Sequence, residues 1–176
     1  MHFPTSLSLL SLLTTALLLP SSLAQTQVQI PTNSRTTVIQ PYAGNVRIYY
    51  QSDNYKSINE VHIDAATGVW LRFDEHPVET KANTSIYGIT YDDSGYLKIK
   101  VYYVTPWNTL GELSYGGNPS SWNTGTDLGF SVSKTARQIN AIRADGVTQV
   151  AFTDVNGNLR QACNSGSGWT TRLVSK

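Results

Sequence analysis

The chain has 176 residues, of which 40% are hydrophobic and 14% charged, and its formal net charge is +1. A balance this close to neutrality provides neither the basic surface that binds nucleic acid nor an acidic tail, so nucleic acid is not an expected partner. Ten tyrosines and four tryptophans favour a β-rich protein whose surface stacks on a ligand.

The N-terminal segment resembles a secretory signal peptide. Residues 7–19 are an uncharged run of Leu, Ser, Thr and Ala, Pro20 ends the run, and Ser22-Leu23-Ala24 forms a small-x-small cleavage site. The run is shorter than the ~20 apolar residues that span a bilayer. We therefore expect residues 1–24 to be removed and residues 25–176 to form a secreted, extracellular domain with no membrane segment.

Three units of about 50 residues repeat along the rest of the chain, which is typical of a repeat architecture. Each unit carries four short markers in constant order. The markers are TVI (37–39), SIY (85–87) and QIN (138–140); VRIYY (46–50), IKVYY (99–103) and TQVAF (148–152); INE (58–60), LGE (110–112) and LRQ (159–161); and Trp70, Trp122 and Trp169. The repeats lie at about 34–81, 82–132 and 133–176.

Each unit is predicted to form four short strands. The second marker alternates apolar and polar residues, as does a strand with one buried face, and turn residues follow it, including the hairpin signal Asn156-Gly157. No segment after residue 24 keeps a 3.6-residue period, so almost no helix is expected. Four antiparallel strands per unit predict an all-β, β-propeller-type fold with three four-stranded blades; a β-sandwich is the structural alternative.

Charged residues recur on neighbouring strands of the first two units. Arg47 and Glu60 lie on either side of a predicted hairpin, and Lys100 and Glu112 repeat the arrangement. Such a pair offers donors and acceptors that match the vicinal hydroxyls of a sugar, and a facing tryptophan would stack on its C–H surface. The alternative is an exposed cross-strand ion pair that contributes under ~1 kcal/mol to stability.

These motifs resemble the fungal fucose-specific lectins of the six-bladed propeller type. Blades of that family carry an Ile-Arg-Val-Tyr-Tyr-Gln strand, an Ile-x-Glu strand and a Gly-Trp-x-x-Gly strand, which correspond to 46–51, 58–60 and 122–125 here. The resemblance spans about residues 36–169. It implies that fucose or a related sugar binds between adjacent blades, with the Arg and Glu from one blade and aromatic residues from the next.

Transferred to this sequence, the resemblance implies a first site made by Arg47 and Glu60 with Trp122, assisted by Tyr115. These four positions follow the family's motif most closely. The first site is therefore expected to bind a fucosylated glycan, with no cofactor and no metal.

The resemblance implies a second site made by Lys100 and Glu112 with Trp169. Lysine is a point charge rather than a bidentate fork, so weaker binding or an altered sugar preference is expected there.

A third site would combine Gln149 and Gln161 with Trp70 of a partner chain, and it is expected to be inactive because both charges are missing. Three blades are half of a six-bladed ring, and an open arc would expose apolar blade faces. We therefore expect two chains to form a homodimer that closes the ring.

Other functions are weakly supported by the sequence. His62 and His76 stand apart from any nucleophile, and zinc-type Cys/His spacing is absent, so an enzyme is not expected. The alternative function is a secreted, non-enzymatic interaction protein or effector whose sugar sites have decayed. Asn83 begins an Asn-Thr-Ser glycosylation sequon. The single cysteine, Cys163, cannot form an intrachain disulfide and is expected to be a small buried residue.

Overall fold

The computed structural model describes residues 28–116 and 120–174, so the predicted signal peptide lies outside the described residues. Within them the regular structure consists of β-strands, and no helix occurs. The described segments accordingly include no long apolar helix that could cross a bilayer.

The strands form three antiparallel sheets that follow one another along the chain, which we call blades one, two and three. Blade one contains β1 (Thr36–Tyr42), β2 (Asn45–Gln51), β3 (Ile58–Asp64) and β4 (Trp70–His76). Blade two contains β5 (Tyr87–Asp93), β6 (Tyr96–Val104), β7 (Thr109–Gly116), β8 (Ser121–Trp122) and β9 (Thr126–Ser131). Blade three contains β10 (Asn140–Ala144), β11 (Val147–Thr153), β12 (Leu159–Asn164) and β13 (Trp169–Leu173). The predicted all-β fold with three antiparallel blades is confirmed.

The outermost strand of blade two is divided. Both β8 and β9 pair with β7, where blades one and three have one continuous outer strand. Asn123 lies at the division, and its side-chain oxygen accepts a hydrogen bond from the Ser114 backbone N–H at 2.9 Å. The side chain thus replaces a ladder hydrogen bond and leaves Trp122 on the short segment β8.

The hydrophobic cores lie between blades. Strand residues alternate between two faces, so each sheet contributes one set of side chains to the blade before it and another to the blade after it. The core between blades one and two includes Tyr49, Ile58, Ile99, Val101 and Leu113. The core between blades two and three includes Tyr102, Leu110, Val150, Phe152 and Ala162.

Blade one has an apolar face that no described blade covers. Val38, Ile48, Val61 and Phe73 form one cross-strand row over all four strands. Val38 is 60% exposed and Phe73 is 45% exposed. The central residues of the row differ less: Val61 is 3% exposed, and its equivalents Leu113 and Ala162 are buried against the preceding blade, as are Val101 and Val150, the equivalents of the half-buried Ile48. We call the row in blade one the leading face.

Blade three presents the opposite face uncovered. Ile39 in β1 and Ile89 in β5 are buried by the blade that follows each of them, but their equivalent Ile142 in β10 is 57% exposed. Ile142 pairs with Gln149, which in turn pairs with Cys163. We call this row the trailing face. Cys163 is half-buried rather than buried as expected, because no described blade lies against the trailing face.

Candidate functional site

The register of the first hairpin places the predicted pair on one face. Tyr49 lies opposite Glu60, and Arg47 lies opposite His62. Residues two apart share a face, so all four side chains project towards blade two. Arg47 and Glu60 are therefore diagonal neighbours rather than direct partners, and the long arginine side chain spans the offset.

Glu60 is the centre of a buried hydrogen-bond cluster. Arg47 Nη1 lies 2.9 Å from Glu60 Oε1, and the Tyr49 hydroxyl donates to the same oxygen at 2.8 Å. The other oxygen, Oε2, lies 2.9 Å from His76 Nε2. Glu60 is completely buried, and Arg47 is nearly so. Arg47 is further oriented by Asn45, whose side-chain oxygen accepts from Nε at 3.2 Å.

The cluster keeps the Glu60 carboxylate charged. Burial on its own would raise the pKa of Glu60. Hydrogen bonds from His76 and Tyr49, together with the nearby charges of His62 and Arg47, outweigh that effect and hold its pKa below the ordinary value. Burial, and then the Glu60 carboxylate, raise the pKa of Tyr49, so its hydroxyl remains a donor.

Blade two completes the first site with aromatic side chains. The Trp122 ring lies 4.4 Å from the His76 ring, 5.4 Å from the Tyr115 ring and 6.0 Å from the Tyr49 ring, measured between centroids. The Arg47 guanidinium carbon lies 6.0 Å from the centre of the Tyr115 ring. The structure thus brings together all four residues of the first predicted site.

His76 is the member of this site that sequence reasoning missed. It lies at the end of β4, where it pairs with Ile58, and the two residues that it contacts come from β3 and from the next blade. In the sequence His76 stands alone. Only the packing of two blades places it between Glu60 and Trp122. Its position on an outer strand beside the Glu-bearing strand is the only signal that the sequence contains.

His62, Glu60 and Asp74 form a compact set of groups that could hold a metal ion. His62 Nε2 lies 2.9 Å from Glu60 Oε1 and 3.5 Å from Asp74 Oδ2, and it is buried without a well-aligned hydrogen bond. Both carboxylates are already paired, Glu60 with Arg47 and Asp74 with Arg72. The positive charge of the two guanidinium groups opposes a cation, so we describe the set as a charge network.

We call the contact between blades one and two the first boundary and that between blades two and three the second boundary. The second boundary repeats the arrangement of the first. Lys100 Nζ contacts both Glu112 oxygens, at 2.8 and 2.9 Å, and the Tyr102 hydroxyl donates to Glu112 at 2.9 Å. Trp169 of blade three lies 5.9 Å from the Tyr102 ring at an edge-on angle of 83°, close to the 6.0 Å and 68° of Trp122 and Tyr49. The three residues of the second predicted site therefore also come together.

The basic residue of the second boundary has a smaller cross-strand neighbour than that of the first. Lys100 lies opposite Ser114, whereas the equivalent Arg47 lies opposite the larger His62. A depression of about 320 Å³ adjoins Lys100. Among the described residues, those that line it are Tyr91, Lys98, Lys100, Ser114, Tyr115 and Gly116.

The third pair lies on the trailing face. Gln161 donates through Nε2 to Gln149 Oε1, and Arg172 Nε donates to Gln161 Oε1 at 2.7 Å. No described blade follows blade three, so no tryptophan of this chain faces the pair. Trp70, the equivalent of Trp122 and Trp169, is on β4 of the uncovered blade one and is partly exposed.

The sequon asparagine is exposed. Asn83 lies in the loop between β4 and β5 with a φ of 57°, while the neighbouring Thr84 is buried and donates to the Lys81 carbonyl at 2.8 Å. The loop therefore holds its threonine inside and presents the asparagine side to solvent.

Solved structures with the same fold are known, although no family model and no curated protein matches the sequence. A fucose lectin from Kordia zhangzhouensis, solved with methyl-fucoside, matches with a TM-score of 0.58 at 15% identity, covering 80% of this chain and 99% of the lectin. The Aleuria aurantia lectin, a six-bladed β-propeller with a novel fucose recognition mode, matches with a TM-score of 0.60 at 24% identity. The SapL1 lectin, solved with α-methyl fucoside, matches with a TM-score of 0.59 at 21% identity.

The lengths of these proteins differ from that of this chain. The alignment with the Aleuria aurantia lectin covers 80% of this chain but only 45% of that lectin, and the alignment with SapL1 covers 79% and 46%. The match therefore extends over about three blades of a six-bladed ring. The chain has the fold of half a six-bladed β-propeller, the fold of the fucose lectins to which it is similar.

Proposed function

We propose that this protein is a secreted lectin that binds fucose or a related sugar between blades one and two. The observation that carries the proposal is the buried Arg47–Glu60 pair beside Trp122, an arrangement that recurs at the next blade boundary as Lys100–Glu112 beside Trp169. Directed donors next to an aromatic wall suit a ligand that has hydroxyls on one side and C–H groups on the other.

The residues of the first site have different tasks. Glu60 is completely buried and both its oxygens are occupied, so it holds Arg47 in place. We assign to Arg47 the donors for the sugar hydroxyls, and to Trp122 and Tyr115 the wall on which the sugar ring stacks. Holding a charged fork in one orientation before the ligand arrives reduces the entropy cost of binding.

Glycan-array binding with site variants tests this proposal. We expect the wild type to bind fucosylated glycans, and Arg47→Ala and Glu60→Ala each to abolish the signal. Lys56→Ala is the matched control, because Lys56 is exposed and pairs with Glu79 on the surface. A wild-type protein that binds no glycan at all would overturn the proposal.

That negative result would favour the second candidate, a non-enzymatic interaction protein or effector. The observation on its side is the loss of both charges at Gln149 and Gln161, which shows that the motif is not maintained throughout the chain. Secretion is part of both proposals. N-terminal sequencing of the protein recovered from the medium should begin at Gln25, and an intact Met1 in that fraction would contradict secretion by cleavage after Ala24.

We also propose that two chains close a six-bladed ring. The leading and trailing faces are the two halves of a blade boundary that occurs twice within the chain, and each is uncovered. A two-fold axis would place each leading face on the partner's trailing face, so that one operation covers both. Trp70 would then approach Gln149 and Gln161 of the other subunit. Light scattering should give the mass of two chains, and a monomer would contradict this arrangement.

A further inference from the structure

We propose that the depression beside Lys100 binds an acidic sugar residue, one that carries a carboxylate, and that the two blade boundaries therefore differ in the charge of the sugar they accept. The inference rests on the proposed lectin function and assigns a ligand class to the second boundary. Two observations support the inference: a lysine lines the depression, and the equivalent positions at the first boundary hold a neutral and an acidic residue.

Lys98 projects into the depression across a glycine. A Cβ built on Gly116 would lie 2.5 Å from Lys98 Cδ and 3.1 Å from its Nζ, so any larger residue would displace the lysine. Gly116 also has a φ of 145°, a conformation that other residues rarely adopt. The backbone at 116 thus gives the lysine stem a groove and leaves its ammonium group at the wall of the depression.

The positive charge of Lys98 is not neutralised by an ion pair, and its Nζ lies 6.0 Å from the centre of the Tyr96 ring. Among the described residues, no carboxylate lies within ion-pair distance of its Nζ, whereas Lys100 is paired with both oxygens of Glu112. The acidic group on the same face, Asp93, lies at the exposed end of β5 and accepts a hydrogen bond from Ser94. The depression therefore carries a net positive charge at its wall.

A second cation lies behind the aromatic wall. The Arg143 guanidinium carbon lies 3.9 Å from the centre of the Tyr91 ring, and Nη1 donates to Thr148 Oγ1 at 3.0 Å. Tyr91 lines the depression, so this ring is backed by a cation. An anionic ligand that contacts the ring is attracted by Arg143 as well as by Lys98.

The first boundary has the opposite charge at the equivalent positions. Lys98 corresponds to the neutral Asn45, and Gly116 corresponds to Asp64, which pairs with Asn45 at the end of the hairpin. At the first boundary Asp64, whose Oδ1 accepts hydrogen bonds from Ala66 and Thr67 in the following turn, stands where the second boundary has Gly116 beside Lys98. An acidic sugar is therefore repelled at the first boundary and attracted at the second, whereas the charge of Lys98 does not discriminate against a neutral sugar such as fucose.

The chemistry of the depression suits a uronic acid. The Lys98 ammonium would donate to the sugar carboxylate in a charge-assisted hydrogen bond. The Ser114 hydroxyl and the Lys100–Glu112 pair would contact ring hydroxyls, and Tyr91 would offer an aromatic surface. A sulfated sugar shares the negative charge but has a tetrahedral group with three acceptor oxygens, so the experiment below includes it as a separate ligand.

Calorimetric titration of the chain recovered from the medium with galacturonate and glucuronate disaccharides tests the inference, with methyl fucoside and a sulfated disaccharide as further ligands. We expect the uronate to bind, with an affinity that falls when salt is raised from roughly 50 to 500 mM. Lys98→Gln should lower uronate affinity about 10-fold and leave methyl-fucoside affinity unchanged. Arg47→Ala should show the reverse pattern.

Lys134→Gln, another lysine substitution outside the depression, serves as the matched control. Unchanged uronate affinity in Lys98→Gln, or its loss in Arg47→Ala, would overturn the inference, and so would binding of the sulfated sugar alone. Fucoside binding without uronate binding refutes this inference and leaves the lectin proposal standing. No binding of any sugar refutes the lectin proposal itself.

Discussion

The environment of Glu60 shows how hydrogen-bond donors stabilise a buried, charged carboxylate. A lone ionised carboxylate inside a protein is strongly disfavoured, but three donors from two strands surround this one. Glu112 has a simpler version, with one lysine and one tyrosine. Because each donor satisfies a charge that cannot reach water, removal of any one of them should be costly.

Tyr49→Phe should lower the free energy of unfolding by about 1.5–3 kcal/mol, because it removes a hydrogen bond to a buried charged group. Urea denaturation followed by tryptophan fluorescence measures the change. Tyr102→Phe should have a comparable effect through Glu112, and the exposed Tyr42→Phe should have none. Equal stability of Tyr42→Phe and Tyr49→Phe would contradict the description of the cluster.

The lowered pKa of Glu60 predicts a specific loss of stability in acid. A carboxyl whose pKa is lower in the folded than in the unfolded state stabilises the fold above the unfolded value, near 4.5, and loses that contribution as pH falls through the folded value. Thermal unfolding between roughly pH 6 and pH 2 should therefore show a steeper decline for the wild type than for Glu60→Gln. Parallel profiles for the two proteins would show that Glu60 does not titrate as described.

At the scale of the strand, close cross-strand packing requires a residue without a side chain at one position of β7. Gly111 lies opposite Tyr103, and a Cβ there would come within 2.5 Å of the tyrosine ring, which is itself buried. The absence of a side chain at 111 therefore makes room for an aromatic ring in the core between blades one and two.

Gly111→Ala should destabilise the fold by about 1–3 kcal/mol, because the Tyr103 ring has no free space into which it can move. Chemical denaturation provides the measurement. Gly88→Ala is a graded comparison, since its nearest contact is a side-chain methyl of Ile39 at 3.0 Å, and we expect a smaller loss. A larger loss in Gly88→Ala would reverse this order and contradict the packing argument.

The short strand β8 presents Trp122 to the first site. Trp122→Ala should weaken sugar binding by about 1–3 kcal/mol, because the ring forms the wall of the site and is itself packed against His76, Tyr49 and Tyr115. Titration calorimetry with the sugar identified by the array measures the effect. Trp107→Ala is the control, since this tryptophan is 72% exposed in a turn of blade two. Equal sugar affinity of the two variants would show that Trp122 does not contribute to the site.

At the scale of the whole molecule, the main feature is that the leading face of blade one and the trailing face of blade three are both uncovered by any described blade. The leading face exposes Val38 and Phe73 at the two ends of its apolar row, and the trailing face exposes Ile142 where Ile39 and Ile89 are buried. Exposed apolar surface of this kind is typical of a protein–protein interface. The arrangement predicts which substitution should separate two associated chains.

Phe73→Asp should convert the expected dimer into a monomer, because it places a charge on the exposed outer-strand end of the leading face. Sedimentation velocity at several concentrations measures the mass. Trp107→Asp, on a blade covered on both sides, should leave the dimer intact. A Phe73→Asp variant that keeps the mass of two chains would show that the leading face is not the interface.

Much of the fold could be predicted from the sequence, and the site only in part. The markers at 46–50, 99–103 and 148–152 became β2, β6 and β11, the second strand of each blade, because alternation and β-branched residues are local properties of a strand. The diagonal offset of Arg47 and Glu60 was not predicted, because it depends on the hairpin register, and the turn between β2 and β3 does not have a standard two-residue form. The division of β8 from β9 depends likewise on Asn123 reaching a backbone N–H of another strand.

By itself, then, the sequence determined the three repeats, the all-β fold and the pairing of each basic residue with its glutamate, since these depend on period and on spacing across one hairpin. Only the tertiary structure decided that Glu60 is buried beneath Arg47, that His76 joins the site, that Lys98 lies over Gly116, and which blade faces remain uncovered. The physical reason is that burial depends on two blades in contact and that the partners of Glu60 depend on the register of β2, β3 and β4, whereas a sequence pattern describes one strand or hairpin at a time.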